Sequence, residues 1–90
     1  SMQQVVDKLI IELEGQLLEK KVKIRLTDAA RQWLATEGYD PDFGARPLRR
    51  LIMKEIGDVL SEEILFGHLN SGGIAQIDII DNKLSFSYSK

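Results

Sequence analysis

Val22-Lys23-Ile24-Arg25-Leu26-Thr27-Asp28-Ala29-Ala30-Arg31-Gln32-Trp33-Leu34 changes its period in the middle. Before Thr27, Val22, Ile24 and Leu26 alternate with Lys21, Lys23 and Arg25, the signature of a short strand with one solvated face. After it, Ala30, Trp33 and Leu34 recur three and four residues apart, as on the buried face of a helix. Thr27 is the natural N-cap between the two. Asp28 falls in the first turn, where the helix dipole favours an anion. A strand that runs straight into a helix is the nucleus of an α+β fold.

Upstream, Val6, Leu9, Ile10, Leu13 and Leu17 predict an amphipathic helix over about 3–19, weakened by Gly15. Ile11 and Leu18 lie off its main face and are expected to be exposed. Downstream, Gly38 is placed as the C′ residue that ends the second helix. Residues 39–46 then form a non-periodic loop, in which Pro41 pushes Asp40 out of the helical region. Pro47 suits the first position of a third helix. Its stripe of Leu48, Leu51, Ile52, Ile56, Val59, Leu60 and Ile64 continues to about Phe66, with Gly57 as an interruption. Three glycines and Asn70 make 67–73 a loop. Ile77 and Ile79, then Leu84, Phe86 and Tyr88, alternate with polar residues on either side of Asp81-Asn82, which predicts a β-hairpin. A hairpin alone is marginal in water, so the strand at 22–26 is expected to join it. The predicted order is α-β-α-α-β-β: an α+β domain of three helices packed on one face of a small three-stranded sheet.

The 90 residues, 43% hydrophobic and 29% charged, suit one small folded domain. The absence of cysteine excludes disulfides, thiolate metal sites and cysteine catalysis, and a single histidine excludes a two-histidine metal site within the chain. No metal site is expected. No apolar run approaches the ~20 residues of a membrane span, and no secretory signal opens the chain, so a cytoplasmic protein without a membrane partner is expected. Ser1-Met2 reads as a cloning remnant ahead of an excised piece of a larger protein.

The unusual segment is Gly44-Ala45-Arg46-Pro47-Leu48-Arg49-Arg50. With Lys54 it carries a charge of +4 in a chain of net −2, leaving −6 elsewhere. Arg46 stands at the mouth of the third helix, where unpaired N–H groups attract anions and a guanidinium can grip a phosphate with two prongs. Gly44 would let a bulky ligand approach the backbone. On spacing alone the weightier reading is a solvated face, or pairing with acids such as Glu55. No G-x-x-x-x-G-K-[ST] loop is present, and Gly72-Gly73 is a turn, so this chain is not expected to hydrolyse a nucleotide unaided. Trp33 reads as core, His68 as a surface loop residue, and Tyr39 and Phe43 as packing for the loop. Glu62, Glu63, Asp40 and Asp42 read as solvated or capping acids.

The segment from Gly38 through Tyr39-Asp40-Pro41 to Gly44-Ala45-Arg46-Pro47-Leu48-Arg49-Arg50 resembles the sensor-2 segment of Clp-family AAA+ unfoldases. The likeness extends to Val22–Thr27 with Ala29–Leu34, and to Leu60–Gly67. The Phe66-Gly67-x-Leu69-x-x-Gly72-Gly73 ending and Gln3–Lys8 resemble the ClpA type most, while Pro47–Arg50 also resembles the ClpC and ClpB types. Gly57-Asp58-Val59 departs from relatives that often place a proline there, which leaves the helix shape at that point open. The resemblance implies a C-terminal small subdomain, residues 1–90, of a second ATPase module. Arg46 would be the catalytic sensor-2 arginine facing the γ-phosphate of ATP, and Gly44 and Ala45 would lie by the adenosine. The Walker motifs and Mg2+ would belong to the large subdomain, so no cofactor is expected to be held tightly here. The implied partners are the large subdomain of the same chain, neighbouring subunits of a hexamer and, through the full-length protein, the Clp peptidase. A stand-alone protein-interaction module is the competing reading. Nucleic-acid binding is disfavoured by the negative net charge.

Overall fold

The computed structural model describes residues 1–17 and 21–90. Leu18 lies outside them; the first helix ends at Gln16 with Leu17 as its C-cap, short of the expected end near 19. The elements are α1 (Met2–Gln16), β1 (Val22–Leu26), α2 (Asp28–Glu37), α3 (Arg46–Ile52), a π-helical turn (Met53–Gly57), α4 (Asp58–Phe66), β2 (Gly73–Ile80) and β3 (Lys83–Ser89). The backbone stays helical through Met53 and Asp58, so α3, the π turn and α4 form one rod. The helical bodies are therefore the three expected. At Gly57 the rod widens by a π turn instead of breaking, and the buried glycine faces the Leu13 side chain.

β1 pairs parallel with β2 (Val22 opposite Gly73, Leu26 opposite Ile77), and β2 pairs antiparallel with β3 (Ile80 opposite Lys83, Ile74 opposite Ser89). The parallel pairing is possible because α2 and the rod carry the chain back across the sheet. Asp81 and Asn82 both adopt positive φ, 53° and 61°, as a two-residue hairpin turn of the right twist requires. In register, Val22, Ile24, Ala75, Ile77, Phe86 and Tyr88 share the face turned to the helices; Lys23, Arg25, Gln76, Ser85 and Ser87 share the other.

The core joins Val6, Leu9, Ile10 and Leu13 of α1, Ala30 and Leu34 of α2, Leu48, Ile52, Ile56, Leu60 and Ile64 of the rod, and the inner sheet face. Trp33 is half-buried against it, with its indole N–H shielded from solvent and unpaired among the described residues. Leu69, the buried apolar side chain of the loop, anchors the return from α4 to β2. Thr27 joins three elements. Its Oγ1 accepts from Ala30 N (3.1 Å) as the α2 N-cap and donates to Asp78 Oδ1 of β2 (2.8 Å), and its N–H donates to Ile77 O (3.0 Å). Glu14 covers the open edge of β1 by accepting from Ile24 N at 2.7 Å.

Gly38 ends α2, but not in the left-handed conformation expected of a C′ glycine: its φ is −90°. Its role is close approach. A Cβ there would stand 2.6–2.9 Å from Cδ1, Cβ and Cα of Leu48. The glycine lets α2 end directly against the first turn of α3, and so sets where the arginine segment begins.

Candidate functional site

Residues 40–44 form a closed loop. Asp40 and Gly44 bridge in both directions, Asp40 N to Gly44 O at 2.8 Å and Gly44 N to Asp40 O at 2.6 Å. Asp40 Oδ1 also accepts from Asp42 N (2.7 Å) and Phe43 N (3.1 Å), which is the capping role expected of it. Gly44 has φ +64° and open space where a Cβ would be. It supplies a left-handed turn that other residues adopt at a cost, and it leaves the backbone accessible.

Ala45 is the N-cap of α3 and Arg46 its first residue. Here the structure corrects one expectation. The helix mouth is not an open set of N–H donors: Arg46 N donates to Phe43 O (3.3 Å), Leu48 N to Ala45 O (3.0 Å), and Pro47 has none. Any grip on an anion must come from side chains. Phe43, Arg46, Pro47 and Arg50 line a cleft of about 260 Å3. Arg46 and Arg50 are exposed, and neither forms an ion pair among the described residues. The Arg46 guanidinium carbon lies 5.6 Å from the centroid of the Phe43 ring.

The basic cluster does not act as a unit. Arg49 leaves the cleft and binds Glu12 of α1 at 3.0 Å, so its partner is an acid on another helix and not Glu55. Lys54 is exposed on the π turn. Tyr39 and Phe43 are 53% and 61% exposed. Both rings stand largely in solvent, and the contact that Phe43 makes is with the Arg46 side chain at the end of the loop.

Sequence reading missed a second cluster at the far end of the rod. His68 Nδ1 lies 2.8 Å from Glu63 Oε1, and the His68 ring stacks on Tyr88 at 5.1 Å and 11°. The bond from His68 holds the Glu63 carboxyl below its ordinary value, while burial pushes the Tyr88 phenol up, with the Glu63 charge adding to the effect. The five-residue spacing of Glu63 and His68 across a helix end was the only local signal. Among the described residues, no group of three histidine or acidic side chains is placed to hold a metal ion, and no helix is long and apolar enough to cross a membrane.

A small α+β domain that sets two arginines, unpaired among the described residues, along a cleft beside a capped glycine loop, and that has no G-x-x-x-x-G-K-[ST] phosphate loop in its sequence, defines the class: an accessory domain and not a complete nucleotide-binding module. Its family follows from comparison with known proteins. Residues 1–77 match the family model of the C-terminal, D2-small domain of ClpB protein, and the chain belongs to that family. It is 44% identical over 81 residues to the ClpA homolog protein of Fuscovulum blasticum, covering 90% of this chain and 10% of that protein. Chaperone protein ClpB of Corynebacterium glutamicum is 41% identical over 86 residues, 96% of this chain and 10% of that protein. Chaperone protein ClpB of Brucella suis is 43% identical over 82 residues, 91% and 9%. The chain thus spans about a tenth of the length of the curated relatives it matches.

Proposed function

We propose that this chain is the nucleotide-sensing and subunit-contact domain of a cytoplasmic, hexameric Clp-type ATPase that unfolds proteins and passes them to a peptidase. The observation that carries the reading is Arg46: exposed, without an acidic partner among the described residues, and set in a cleft with Arg50. Two guanidiniums with no competing carboxylate among the described residues fit a phosphate chain, because each offers parallel N–H donors to anionic oxygens. Arg46 would hold the terminal phosphate, with Arg50 adding charge beside it. The open backbone at Gly44 and Ala45 would border the adenosine. ATP brings the phosphoanhydride bond whose cleavage drives the machine; magnesium would be held by the large domain of the same chain. Because Arg46 begins a rod whose apolar side is built into the core, a pull on its guanidinium moves the whole domain. Exposed Ile11, Leu65 and Phe66 would meet the large domain or a neighbouring subunit.

In the full-length protein, Arg46→Ala should slow ATP hydrolysis by about 10²–10³-fold, the usual loss when one preorganised charge on a transferring group is removed. Nucleotide affinity should fall less, and the melting temperature should hold, since an exposed side chain contributes little packing. Arg49→Ala, which loses only its pairing with Glu12, and Lys54→Ala are the controls. A folded hexamer of Arg46→Ala that hydrolyses ATP at the wild-type rate would refute the assignment.

A further inference from the structure

We infer that Phe43 is a positioning residue for Arg46: its ring presets the guanidinium over the cleft while leaving every N–H donor free for a phosphate. The inference rests on the reading of Arg46 as the phosphate-facing group.

Three observations carry it. The first is the fixed backbone of Phe43. Its N–H donates to Asp40 Oδ1 (3.1 Å), its carbonyl accepts from Arg46 N (3.3 Å), and the bridge between Asp40 and Gly44 closes the loop around it. Both polar backbone groups of Phe43 are thus held, which fixes where its ring leaves the chain. The second is exposure: the ring is 61% exposed, so core packing does not explain an aromatic here. The third is contact. The Arg46 guanidinium carbon lies 5.6 Å from the ring centroid, inside the ~6 Å reach of a cation–π pair.

The chemistry explains why a ring serves better than an acid. Arg31 and Arg49 are held by carboxylates, Asp7 and Asp28 for the first and Glu12 for the second. A carboxylate orients an arginine by consuming its donors and cancelling its charge, which would compete with an incoming phosphate. A phenyl face attracts the cation and accepts none of its in-plane hydrogen bonds. Arg46 is therefore both oriented and unspent.

The test is a double-mutant cycle on ATP hydrolysis by the full-length protein, with melting temperature as the folding control. Phe43→Leu should lower kcat/KM roughly two- to fivefold, the scale of an exposed cation–π pair. Phe43→Tyr, which keeps the ring face, should restore the wild-type value. In the Arg46→Ala background, Phe43→Leu should have no further effect, a coupling that a merely structural role would not produce. The inference is overturned if Phe43→Leu is silent, if its effect is equal in both backgrounds, or if Phe43→Tyr fails to rescue. If Arg46→Ala itself is silent, the phosphate-facing reading fails first; a strong Arg46→Ala effect with a silent Phe43→Leu rejects the positioning role alone.

Discussion

A methyl group on Gly38 would land 2.9 Å from the Leu48 Cα, and 2.6 and 2.8 Å from two of its side-chain carbons. A flexible tip could swing away, but backbone cannot do so without moving α3. Gly38→Ala should therefore destabilise by about 1–3 kcal/mol, the usual cost of overpacking. It should also displace Arg46, which lies two residues before Leu48. Gly15 is the contrast. It lies inside α1, and a methyl group there would find nothing within 4 Å, so Gly15→Ala should stabilise by about 1 kcal/mol through helix propensity alone. Chemical denaturation of both variants checks the pair, and equal effects of the same sign would contradict the packing seen here. The local sequence tells an interior glycine from a terminal one, but it does not tell which of them a methyl group would crowd. The distance to Leu48 separates them.

Among the elements, the link between α4 and β3 rests on Glu63, His68 and Tyr88. Glu63 accepts from His68 N at 3.4 Å and contacts its ring Nδ1 at 2.8 Å, closing the end of the rod. Its folded-state pKa lies below the ordinary 4.5. In the window below 4.5 the unfolded chain binds the proton more readily, so stability rises with pH there. The contribution is fully present above pH 4.5 and is lost as pH falls through the lower folded value. Glu63→Gln should thus be less stable than wild type near neutrality, and the two should converge in acid. Thermal melts from pH 7 to pH 3 test this; a constant gap across that range would remove the carboxylate's titration from the account. Tyr88 lies on β3, 25 residues beyond Glu63 in α4, which is why neither residue drew attention as a pair before the fold was known.

At the scale of the whole molecule, one core serves all eight elements, yet Ile11, Leu65, Phe66 and Ile80 remain 57–83% exposed. These residues lie on α1, at the end of α4 and at the end of β2, outside the stripe that the rod buries. The domain brings a cleft lined by two arginines but, among the described residues, no cluster of acids to hold magnesium. The isolated chain should therefore show no magnesium-dependent ATP turnover. A phosphate-release assay on clean protein is the check, and sustained turnover above a buffer control would overturn the reading of this domain as a sensor.

Local signals by themselves determined which segments are helix and strand. Periods of two and of three to four, the Thr27 cap, Pro47 at a helix start and the Asp81-Asn82 turn are short-range effects written in adjacent residues. They made the element order and the single covered sheet face legible; for the Gly44-Ala45-Arg46 segment they favoured a solvated face, and only the family resemblance singled it out as the candidate site. Contacts between distant residues needed the fold. The parallel pairing of β1 with β2, the burial of Leu69, the approach of Gly38 to Leu48 and the capture of Arg49 by Glu12 all join residues of different elements. Their energies depend on backbone and side-chain distances set by the packing of separate elements, which no local pattern encodes. The same holds at the site itself: the sequence marks Arg46, but only tertiary geometry decides that its neighbour is an aromatic ring and that, among the described residues, no acid pairs with it.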